Sequence, residues 1–231
     1  MGKIHFIGGE KGGVGKSLVS RVLAQYFIDH EQPFVGFDTD KSHGSLLRFY
    51  AGFASPIVVD RYESLDRVME AATEMPERRV LVDLAAQTHQ SLAQWMADSA
   101  LFDLSEELGV ELTYWHVMDS GQDSVDLLRK LLEQFGGKLN LVVVLNEVRS
   151  DNFNLLEKSG EKAKAEALGA RFISIGRLQE SAMQKIDGQG TSFWAALNPV
   201  EKNANSLGLL ERQRVKVWLK KAYAEIQKLA A

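Results

Sequence analysis

The sequence predicts an α/β fold, with a doubly wound and mostly parallel sheet flanked by helices, in a single domain of residues 1–231. Short runs of β-branched and aromatic residues alternate along the chain with longer helical patterns, as in parallel sheets with crossover helices. The run at residues 141–145 is apolar at every position, as expected of a central strand covered on both faces. No repeat or Ser/Gly-rich linker divides the 231 residues, and α/β domains of about this size fold as one unit.

Six strands and seven helices follow in order from these patterns. The strands are predicted at residues 3–7, 34–37, 79–84, 111–117, 139–146 and 171–175. The helices are predicted at residues 16–30, 64–74, 91–108, 123–135, 154–168 and 179–186, with a last helix at about 203–230. Parallel strands joined by right-handed crossovers have their carboxyl ends at one edge of the sheet, where open α/β sheets bind ligands.

The composition excludes several classes of function. The chain has no cysteine, which excludes disulfides, thiolate metal sites, cysteine nucleophiles and iron–sulfur ligation, and a cytoplasmic location is expected. The balance of 27 Lys and Arg residues against 31 Asp and Glu residues argues against a protein that coats nucleic acid with its whole surface. No run approaches the ~20 apolar residues of a membrane-spanning helix.

A glycine-rich loop lies between the first predicted strand and the first predicted helix, where residues 8–17 read Gly-Gly-Glu-Lys-Gly-Gly-Val-Gly-Lys-Ser. Glycines in such a loop let successive backbone N–H groups converge on phosphate oxygens, beside the positive end of the helix dipole. Lys16 is placed to reach the β- and γ-phosphates of a nucleotide, and the Ser17 hydroxyl is placed to coordinate Mg²⁺. The residues predicted to bind the phosphate-bearing ligand are Gly12, Gly13, Val14, Gly15, Lys16, Ser17 and Leu18.

Carboxylates follow two of the predicted strands at this edge. The second strand ends in Asp38-Thr39-Asp40, and the apolar strand from residue 79 delivers Asp83. Side chains just beyond the carboxyl end of a parallel strand point into the ligand crevice. Asp83 is predicted to hold Mg²⁺ through a water molecule, because Mg²⁺ keeps much of its hydration shell. The alternative interpretation of Asp38 and Asp40 is that both are polar residues of a turn, without a role in ligand binding.

The segment Lys-Gly-Gly-Val-Gly-Lys-Ser, preceded by Glu10 in place of the usual first glycine, resembles the deviant Walker A motif of the ParA/MinD family. The similar layout covers about the first 150 residues. The resemblance implies ATP as the nucleotide and a homodimer in which two subunits sandwich two ATP molecules. It implies that Lys11 stabilises the transition state on the partner's nucleotide, that Asp40 positions the attacking water, and that Asp38 supports the magnesium shell or Lys11. The predicted catalytic residues are thus Lys11, Lys16 and Asp40, and the predicted metal site consists of Ser17, Asp83 and Asp38.

The chain departs from the family at both nucleotide-sensing switches. After the switch I aspartate, family members continue Asp-Pro-Gln-Gly, whereas residues 41–44 of this chain read Lys-Ser-His-Gly. Switch II of the family reads Asp-x-Pro-Pro-Gly, whereas residues 83–87 read Asp-Leu-Ala-Ala-Gln. The loop therefore predicts ATP binding, while the altered switch II leaves the rate of ATP turnover open.

Asn146 closes the apolar strand at residues 141–145. In the family, an asparagine at this strand end bonds the adenine edge, for which an amide has both a donor and an acceptor. The alternative is an asparagine that caps the loop after the strand. Both interpretations stay open at this point.

The last segment of the chain differs in charge from the rest. Residues 201–231 carry seven basic and three acidic residues, a net charge of +4, which leaves −8 for the other 200 residues. The apolar residues Leu207, Leu210, Val217, Trp218, Ile226 and Leu229 recur at near-helical spacing. A basic amphipathic helix docked on the sheet is the first interpretation. Non-specific contact with DNA phosphates and peripheral contact with an anionic membrane are the alternatives.

These observations favour an ATPase switch that dimerises on ATP to position or partition a cargo such as plasmid DNA or a protein complex, with a stimulating protein as a possible partner. The layout, including residues 117–122 after the fourth strand, also resembles the conjugal-transfer TraL branch of the family, which makes an accessory ATPase of mobilisation an alternative. A nucleotide-binding scaffold with negligible hydrolysis is a second alternative. A metabolic enzyme that uses ATP to activate a small molecule is a third, and Lys11 argues against it.

Overall fold

The computed structural model describes residues 1–40, 44–201 and 205–229 of the chain. The strands are β1 (Gly2–Gly8), β2 (Phe34–Asp38), β3 (Ala54–Pro56), β4 (Arg79–Asp83), β5 (Val110–Met118), β6 (Asn140–Asn146) and β7 (Arg171–Ile175). The helices are α1 (Lys16–Asp29), α2 (Ser45–Phe49), α3 (Tyr62–Glu74), α4 (His89–Asp98), α5 (Leu101–Glu107), α6 (Gln122–Phe135), α7 (Asn154–Ser159), α8 (Glu161–Ala167), α9 (Glu180–Gln189), α10 (Phe193–Leu197) and α11 (Leu209–Gln227).

The seven strands form one parallel sheet in the order β3-β2-β4-β1-β5-β6-β7. The central strand β1 pairs with β4 on one side and with β5 on the other. The chain therefore leaves β1 toward β2 on one side and later crosses to β5 on the other side, which opens a crevice at the carboxyl end of β1. The predicted doubly wound α/β fold and the single domain are confirmed.

Helices cover both faces of the sheet, and each face has its own apolar core. One core joins the sheet to helices α3 to α8 and contains Phe6 and Trp95. The other core joins the sheet to α1, α2, α9, α10 and α11 and contains Ile7 and Val22. Phe6 and Ile7 belong to opposite cores because successive side chains of a strand point to opposite faces. Strand β6 is buried on both faces, as its apolar run predicts.

Two predicted helices are wrong in extent, because each is broken near its middle. The region predicted as one helix at 91–108 forms α4 and α5, which are separated at Ala100 with a φ of 43°. The region predicted as one helix at 154–168 forms α7 and α8, which meet at Gly160 with a φ of 79°. A residue with positive φ cannot continue a right-handed helix, whereas the apolar periodicity on either side of it stays nearly in phase.

Three short elements are missing from the predicted order: α2, β3 and α10. The two helices have five residues each and the strand has three, which is too short for a periodic pattern to be read. Strand β3 extends the sheet beyond β2, where Gly36 pairs with Ala54. Helix α2 begins directly after the switch I segment, so it contributes to the candidate site below.

The last helix is shorter than the predicted range 203–230. Helix α11 spans Leu209–Gln227, and residues 202–204 and 230–231 lie outside the described part of the chain. Trp218 and Ile226 are buried as predicted, but Leu210 and Val217 are 65% and 45% exposed and do not belong to the apolar face. The buried face also contains Val215, and it packs against β7 and α1. None of the helices in the described part is long and apolar enough to cross a membrane.

Candidate nucleotide-binding site

The loop between β1 and α1 has the backbone geometry of an anion-binding nest. Gly13 and Gly15 have φ angles of 75° and 98°, in the left-handed region that glycine favours. Gly15 is the N-cap of α1, so the first N–H groups of the helix open onto the loop. A Cβ atom on Gly15 would lie 2.0 Å from Nδ2 of Asn146, which leaves no room for a side chain. The predicted strand–loop–helix arrangement is therefore present.

Gly15→Ala is expected to remove nucleotide binding and to destabilise the protein. The new methyl group would meet the Asn146 amide, and alanine would have to adopt the left-handed backbone. Urea unfolding should show a loss of about 2–4 kcal/mol in the free energy of unfolding. Gly52→Ala is the matched control, since a Cβ atom at Gly52 meets nothing within 4 Å. Equal unfolding midpoints for the two variants would contradict the prediction.

Lys16, the predicted phosphate-binding lysine, lies folded back under the loop. Its Nζ donates a hydrogen bond to the carbonyl oxygen of Lys11 at 3.1 Å, and its side chain is buried. Burial lowers the pKa of Lys16, while the nearby carboxylates of Asp83, Glu10 and Asp40 act in the opposite direction. Lys16 can therefore exchange its bond to the loop for a phosphate oxygen.

A cavity of about 350 Å³ brings the loop together with three other predicted residues. Ser17 lies in the first turn of α1, Asp40 follows β2, and Asp83 ends β4, so three neighbouring elements converge on one space. The cavity is lined by Gly12, Gly13, Gly15, Lys16, Ser17, Asp40, Asp83, Leu84, Ala85 and Ala86. The parallel sheet produces this convergence, because the carboxyl ends of β1, β2 and β4 lie side by side.

Asp83 is the most deeply buried carboxylate of the cavity. Burial, together with the nearby Asp38, raises its pKa to about 7, while the hydroxyl groups of Ser20 and Ser17 act to lower it. Its Oδ1 atom has no hydrogen-bond partner among the residues that the structure describes. A buried oxygen without a partner is costly unless a ligand supplies the missing contact. Oxygen ligands of this kind suit a hydrated Mg²⁺, so Asp83 and Ser17 fit the predicted metal.

Asp38 is 1% exposed and is engaged by the backbone that follows it. Its Oδ1 accepts a hydrogen bond from the backbone N–H of Asp40 at 3.0 Å, and its Oδ2 accepts from Leu46 at 2.9 Å and Leu47 at 3.2 Å. Burial raises the pKa of Asp38, and these three bonds oppose that shift. Asp38 thus anchors the backbone at Asp40 and the first turn of α2. Its part in the magnesium shell stays a prediction.

The two switches are joined directly through Thr39. Its backbone N–H donates to the carbonyl oxygen of Asp83 at 3.0 Å, and its Oγ1 accepts a hydrogen bond from the backbone N–H of Ala85 at 2.7 Å. Gln87 stands where the family has the switch II glycine, and its φ of 64° is in the left-handed region. Switch II therefore keeps a backbone conformation suited to glycine without having a glycine there. Residues 41–43, which include His43, lie outside the described part of the chain.

Lys11 points away from the phosphate cavity of its own chain and does not contact Asp38. Its Nζ lies 3.2 Å from Oδ2 of Asp119, just after β5, and 3.6 Å from Oδ2 of Asp123. Arg149 donates to the same Oδ2 of Asp119 at 3.2 Å. Burial acts to raise the pKa of Asp119, but hydrogen bonds from Ser124, Gly121 and Lys11 hold it below its ordinary value. One buried carboxylate therefore holds two cations at the mouth of the site.

Glu10, which replaces the usual first glycine of the motif, also has a defined contact. Its Oε1 accepts a hydrogen bond from the backbone N–H of His89 at 2.9 Å. His89 is the first residue of α4, and a carboxylate is favourable at a helix N-terminus. The phosphate-binding loop is in this way attached to the helix that follows switch II.

A second cavity of about 420 Å³ adjoins the first one at Gly13 and Gly15. Asn146 lines it, and its amide donates to the carbonyl oxygen of Val14 at 2.7 Å while its Oδ1 accepts from the N–H of Val148 at 3.3 Å. Asn146 therefore braces the phosphate loop and caps its own loop, and its contact with adenine stays a prediction. The cavity is lined by Gly13, Gly15, Leu18, Arg21, Asn146, Val148, Gly176, Arg177, Leu178, Glu180, Met183 and Asp187.

Sequence reasoning missed several residues of this site. Asp119 follows the carboxyl end of β5, so the rule that selects Asp38 and Asp83 could also have selected it. No comparable sequence signal marks Arg149. The same is true of the ion pair between Arg21 and Asp187, in which Nη1 and Oδ1 are 2.7 Å apart. These contacts join residues far apart in the chain, and no local pattern marks them.

The fold, the glycine loop and the buried carboxylates define a class of nucleotide-binding protein. Residues 5–189 match the family model described as the CobQ/CobB/MinD/ParA nucleotide binding domain, so the chain belongs to this family of P-loop proteins. The resemblance drawn from the Walker A segment is confirmed.

Particular relatives carry the comparison further. The chain is 27% identical to protein TraL of Escherichia coli, over 100% of this chain and 99% of TraL. Its fold is similar to that of the cell division protein MinD of Aquifex aeolicus, with a TM-score of 0.53 and 14% identity over 95% of this chain and 97% of that chain. It is also similar to a protein of Borrelia burgdorferi assigned to plasmid partition and bound to AMPPNP, with a TM-score of 0.52 and 14% identity over 96% of this chain and 100% of that chain. At these identities the solved structures show the shared fold.

Proposed function

We propose that the protein is an ATP-dependent molecular switch that forms a nucleotide-sandwich homodimer and hydrolyses ATP slowly to position or partition a cargo. The arrangement of two lysines carries this proposal. Lys16 lines the phosphate cavity together with Ser17 and Asp83, whereas Lys11 contacts Asp119 outside that cavity. A second lysine at the mouth of the site, whose ammonium group contacts Asp119 and does not line its own phosphate cavity, suits a site that is shared by two subunits.

Within this proposal each residue has a distinct task. The N–H groups of the glycine loop and Lys16 bind the β- and γ-phosphates, and Ser17 and Asp83 hold the metal. Mg²⁺, when bound, neutralises charge that develops on the phosphates. Asp40 at the cavity wall orients the attacking water, and Lys11 of the partner subunit stabilises charge in the transition state.

The base and ribose of the nucleotide are assigned to the second cavity. This cavity shares Gly13 and Gly15 with the phosphate cavity, so one ligand can extend through both. Leu18 supplies an apolar wall, and the Asn146 amide lies at the same wall as a candidate for contact with adenine. Reorienting Asn146 toward a base would give up its bond to the Val14 carbonyl.

Solution mass with ATP, with ADP and without nucleotide tests the switch directly. We expect wild type to form dimers with ATP alone. Lys16→Ala should lose ATP affinity by about 100-fold and stay monomeric, because the buried cation that meets the phosphates is gone. Lys11→Ala should bind ATP in the monomer but fail to dimerise, and Asp40→Ala should accumulate as the dimer. A mass that does not respond to nucleotide would refute the switch.

The rate of turnover separates a working ATPase from a nucleotide-binding scaffold. Gln87→Gly restores the family residue at a position whose φ of 64° already suits glycine. We expect a several-fold higher rate of phosphate release with unchanged or slightly raised stability, since the strained Gln87 backbone is relieved. Ala86→Gly is the matched control, because Ala86 lies in the same turn but does not have a positive φ. Phosphate release at the background level in all three proteins would favour the scaffold.

The likeness to TraL over the whole chain favours conjugal transfer as the second candidate setting. In that setting the cargo is a mobilisation complex on DNA. Helix α11 presents Lys216, Lys220 and Lys221 on its exposed side, which suits non-specific contact with DNA phosphates. Replacing the three lysines by Gln should weaken binding of mixed-sequence duplex DNA and reduce its salt dependence. Anionic vesicles in the same assay test the membrane alternative.

A further inference from the structure

The amino-terminal edge of the sheet, opposite the nucleotide crevice, contains a separate cavity of about 120 Å³. Residues of β1, β4, β5, β6 and β7 form its floor, and the carboxyl-terminal parts of α1 and α11 cover it. No residue of this cavity belongs to the nucleotide site described above. Since an apolar cavity of roughly 150 Å³ holds one benzene molecule, this cavity has room for about five or six non-hydrogen atoms.

The charged side chains around this cavity are predominantly cationic. Lys3, Arg79 and Arg171 line it together with one carboxylate, Glu111, so the fixed charge at the cavity is +2. Lys3 pairs with Glu111 at 2.9 Å. Arg171 donates to the carbonyl oxygen of Leu229 and, at 3.1 Å, to Oδ1 of Asn140. Two of the three cations therefore have partners within the protein.

Arg79 is the cation that lacks such a partner. Its guanidinium lies 5.5 Å from the ring centroid of Phe27, and no hydrogen bond or ion pair of this guanidinium exists in the described part of the chain. The group is half-buried, and burial lowers its pKa. The N–H donors of this guanidinium are therefore available to an anion in the cavity, with which they form charge-assisted hydrogen bonds.

His5 adds a neutral donor to the same wall. Its Nδ1 accepts a hydrogen bond from the indole N–H of Trp115 at 3.2 Å, so its Nε2 carries the hydrogen. That Nε2 has no hydrogen-bond partner among the described residues, and neither has Oε1 of Gln32 in the same wall. Burial, reinforced by Arg79, lowers the pKa of His5 to about 3, which keeps the ring neutral. The lining also contains the hydroxyl groups of Tyr26 and Thr113, and apolar side chains that include Leu23 and Ile226.

We propose that this cavity, with Arg79 as the main contact and His5 as a second donor, is a binding site for a small organic carboxylate. The planar fork of a guanidinium matches a carboxylate in a bidentate geometry. The apolar walls suit a short hydrocarbon body, which a phosphate ion does not have. The site is independent of the nucleotide, so its test does not depend on the proposed ATPase activity.

Titration of the full chain with sodium acetate, sodium butyrate and inorganic phosphate tests the site, with sodium chloride at equal ionic strength as the blank. The readout is the indole N–H signal of Trp115 in a ¹⁵N–¹H NMR spectrum, because this group contacts His5. We expect saturable binding of a carboxylate with a dissociation constant on the order of 1 mM. Lys16→Ala, which disables the proposed nucleotide site, should bind the carboxylate as wild type does.

Two variants and one control decide the assignment. Arg79→Gln should weaken carboxylate binding at least tenfold, and Arg79→Lys, which keeps the charge without the fork, should also weaken it. Arg61→Gln is the control, since it removes the same charge at an exposed position outside the cavity. Absence of saturable binding by either carboxylate would overturn the proposal. So would equal affinities in Arg79→Gln and Arg61→Gln, or saturable binding of phosphate alone.

Discussion

Asp83→Asn is expected to make the nucleotide-free protein more stable above pH 7 and to abolish its response to Mg²⁺. The wild-type carboxylate is buried, its Oδ1 has no partner among the described residues, and its pKa is raised to about 7. An amide of the same shape removes the cost of a buried negative charge near Asp38. The same amide is a poor ligand for Mg²⁺. One substitution should therefore move stability and metal-dependent nucleotide binding in opposite directions.

The pH dependence of this effect has a definite sign. The folded-state pKa of Asp83, about 7, lies above its ordinary value of 3.8, so between these values the folded protein binds more protons than the unfolded chain. Its contribution to the free energy of unfolding therefore falls as the pH rises from about 4 to about 7. The stability gain of Asp83→Asn should grow over the same range and then level off. Thermal unfolding from pH 4 to pH 8, with and without Mg²⁺ and ATP, measures both effects.

Asp151→Asn is the matched control for this experiment. It makes the same chemical change at an exposed carboxylate outside both cavities. Its stability should parallel that of wild type at every pH, and its response to Mg²⁺ with ATP should be retained. If Asp83→Asn lowers stability at pH 8, the unsatisfied carboxylate is not the strained group that the structure indicates.

The sequence predicts the phosphate side of the site well, because its determinants are local. Consecutive glycines impose the left-handed turns at Gly13 and Gly15, and the strand before them and the helix after them have strong patterns of their own. The parallel sheet then places Asp83 beside the loop through a general rule about strand ends. For the same reason the six predicted strands are all present, and β3, with three residues, is the strand that was missed.

What could not be predicted depends on contacts between distant parts of the chain. Helix breaks at Ala100 and Gly160 leave the apolar periodicity almost unchanged. Leu210 and Val217 match a helical stripe, yet the docking of α11 on β7 buries Val215 instead. The partner of Lys11 lies 108 residues away at Asp119, and its identity follows from the pairing of β1 with β5. Tertiary packing decides each of these features.

The contact between Lys11 and Asp119 leads to the second large expected effect. Asp119→Asn should strengthen ATP-dependent dimerisation. A lysine that is to reach the partner's nucleotide must first leave Asp119, which it contacts at 3.2 Å in its own chain. Asparagine keeps the shape and can still accept from Ser124 and Gly121, but it lacks the charge that holds Lys11 and Arg149. Since a hydrogen bond to a charged group contributes about 1.5–3 kcal/mol, the dimer dissociation constant should fall about tenfold or more.

Sedimentation with ATP over a range of protein concentrations measures this constant. Asp123→Asn is the control, because Asp123 lies 3.6 Å from Lys11 but is 78% exposed, so its charge holds the lysine weakly. Asp119→Asn should also lower the free energy of unfolding by about 1–2 kcal/mol, whereas Asp123→Asn should leave it unchanged. The double variant Lys11→Ala with Asp119→Asn should lose the gain in dimerisation, since the released side chain is absent. A weaker dimer in Asp119→Asn would instead mean that Asp119 acts across the interface, and that its contact with Lys11 does not restrain assembly.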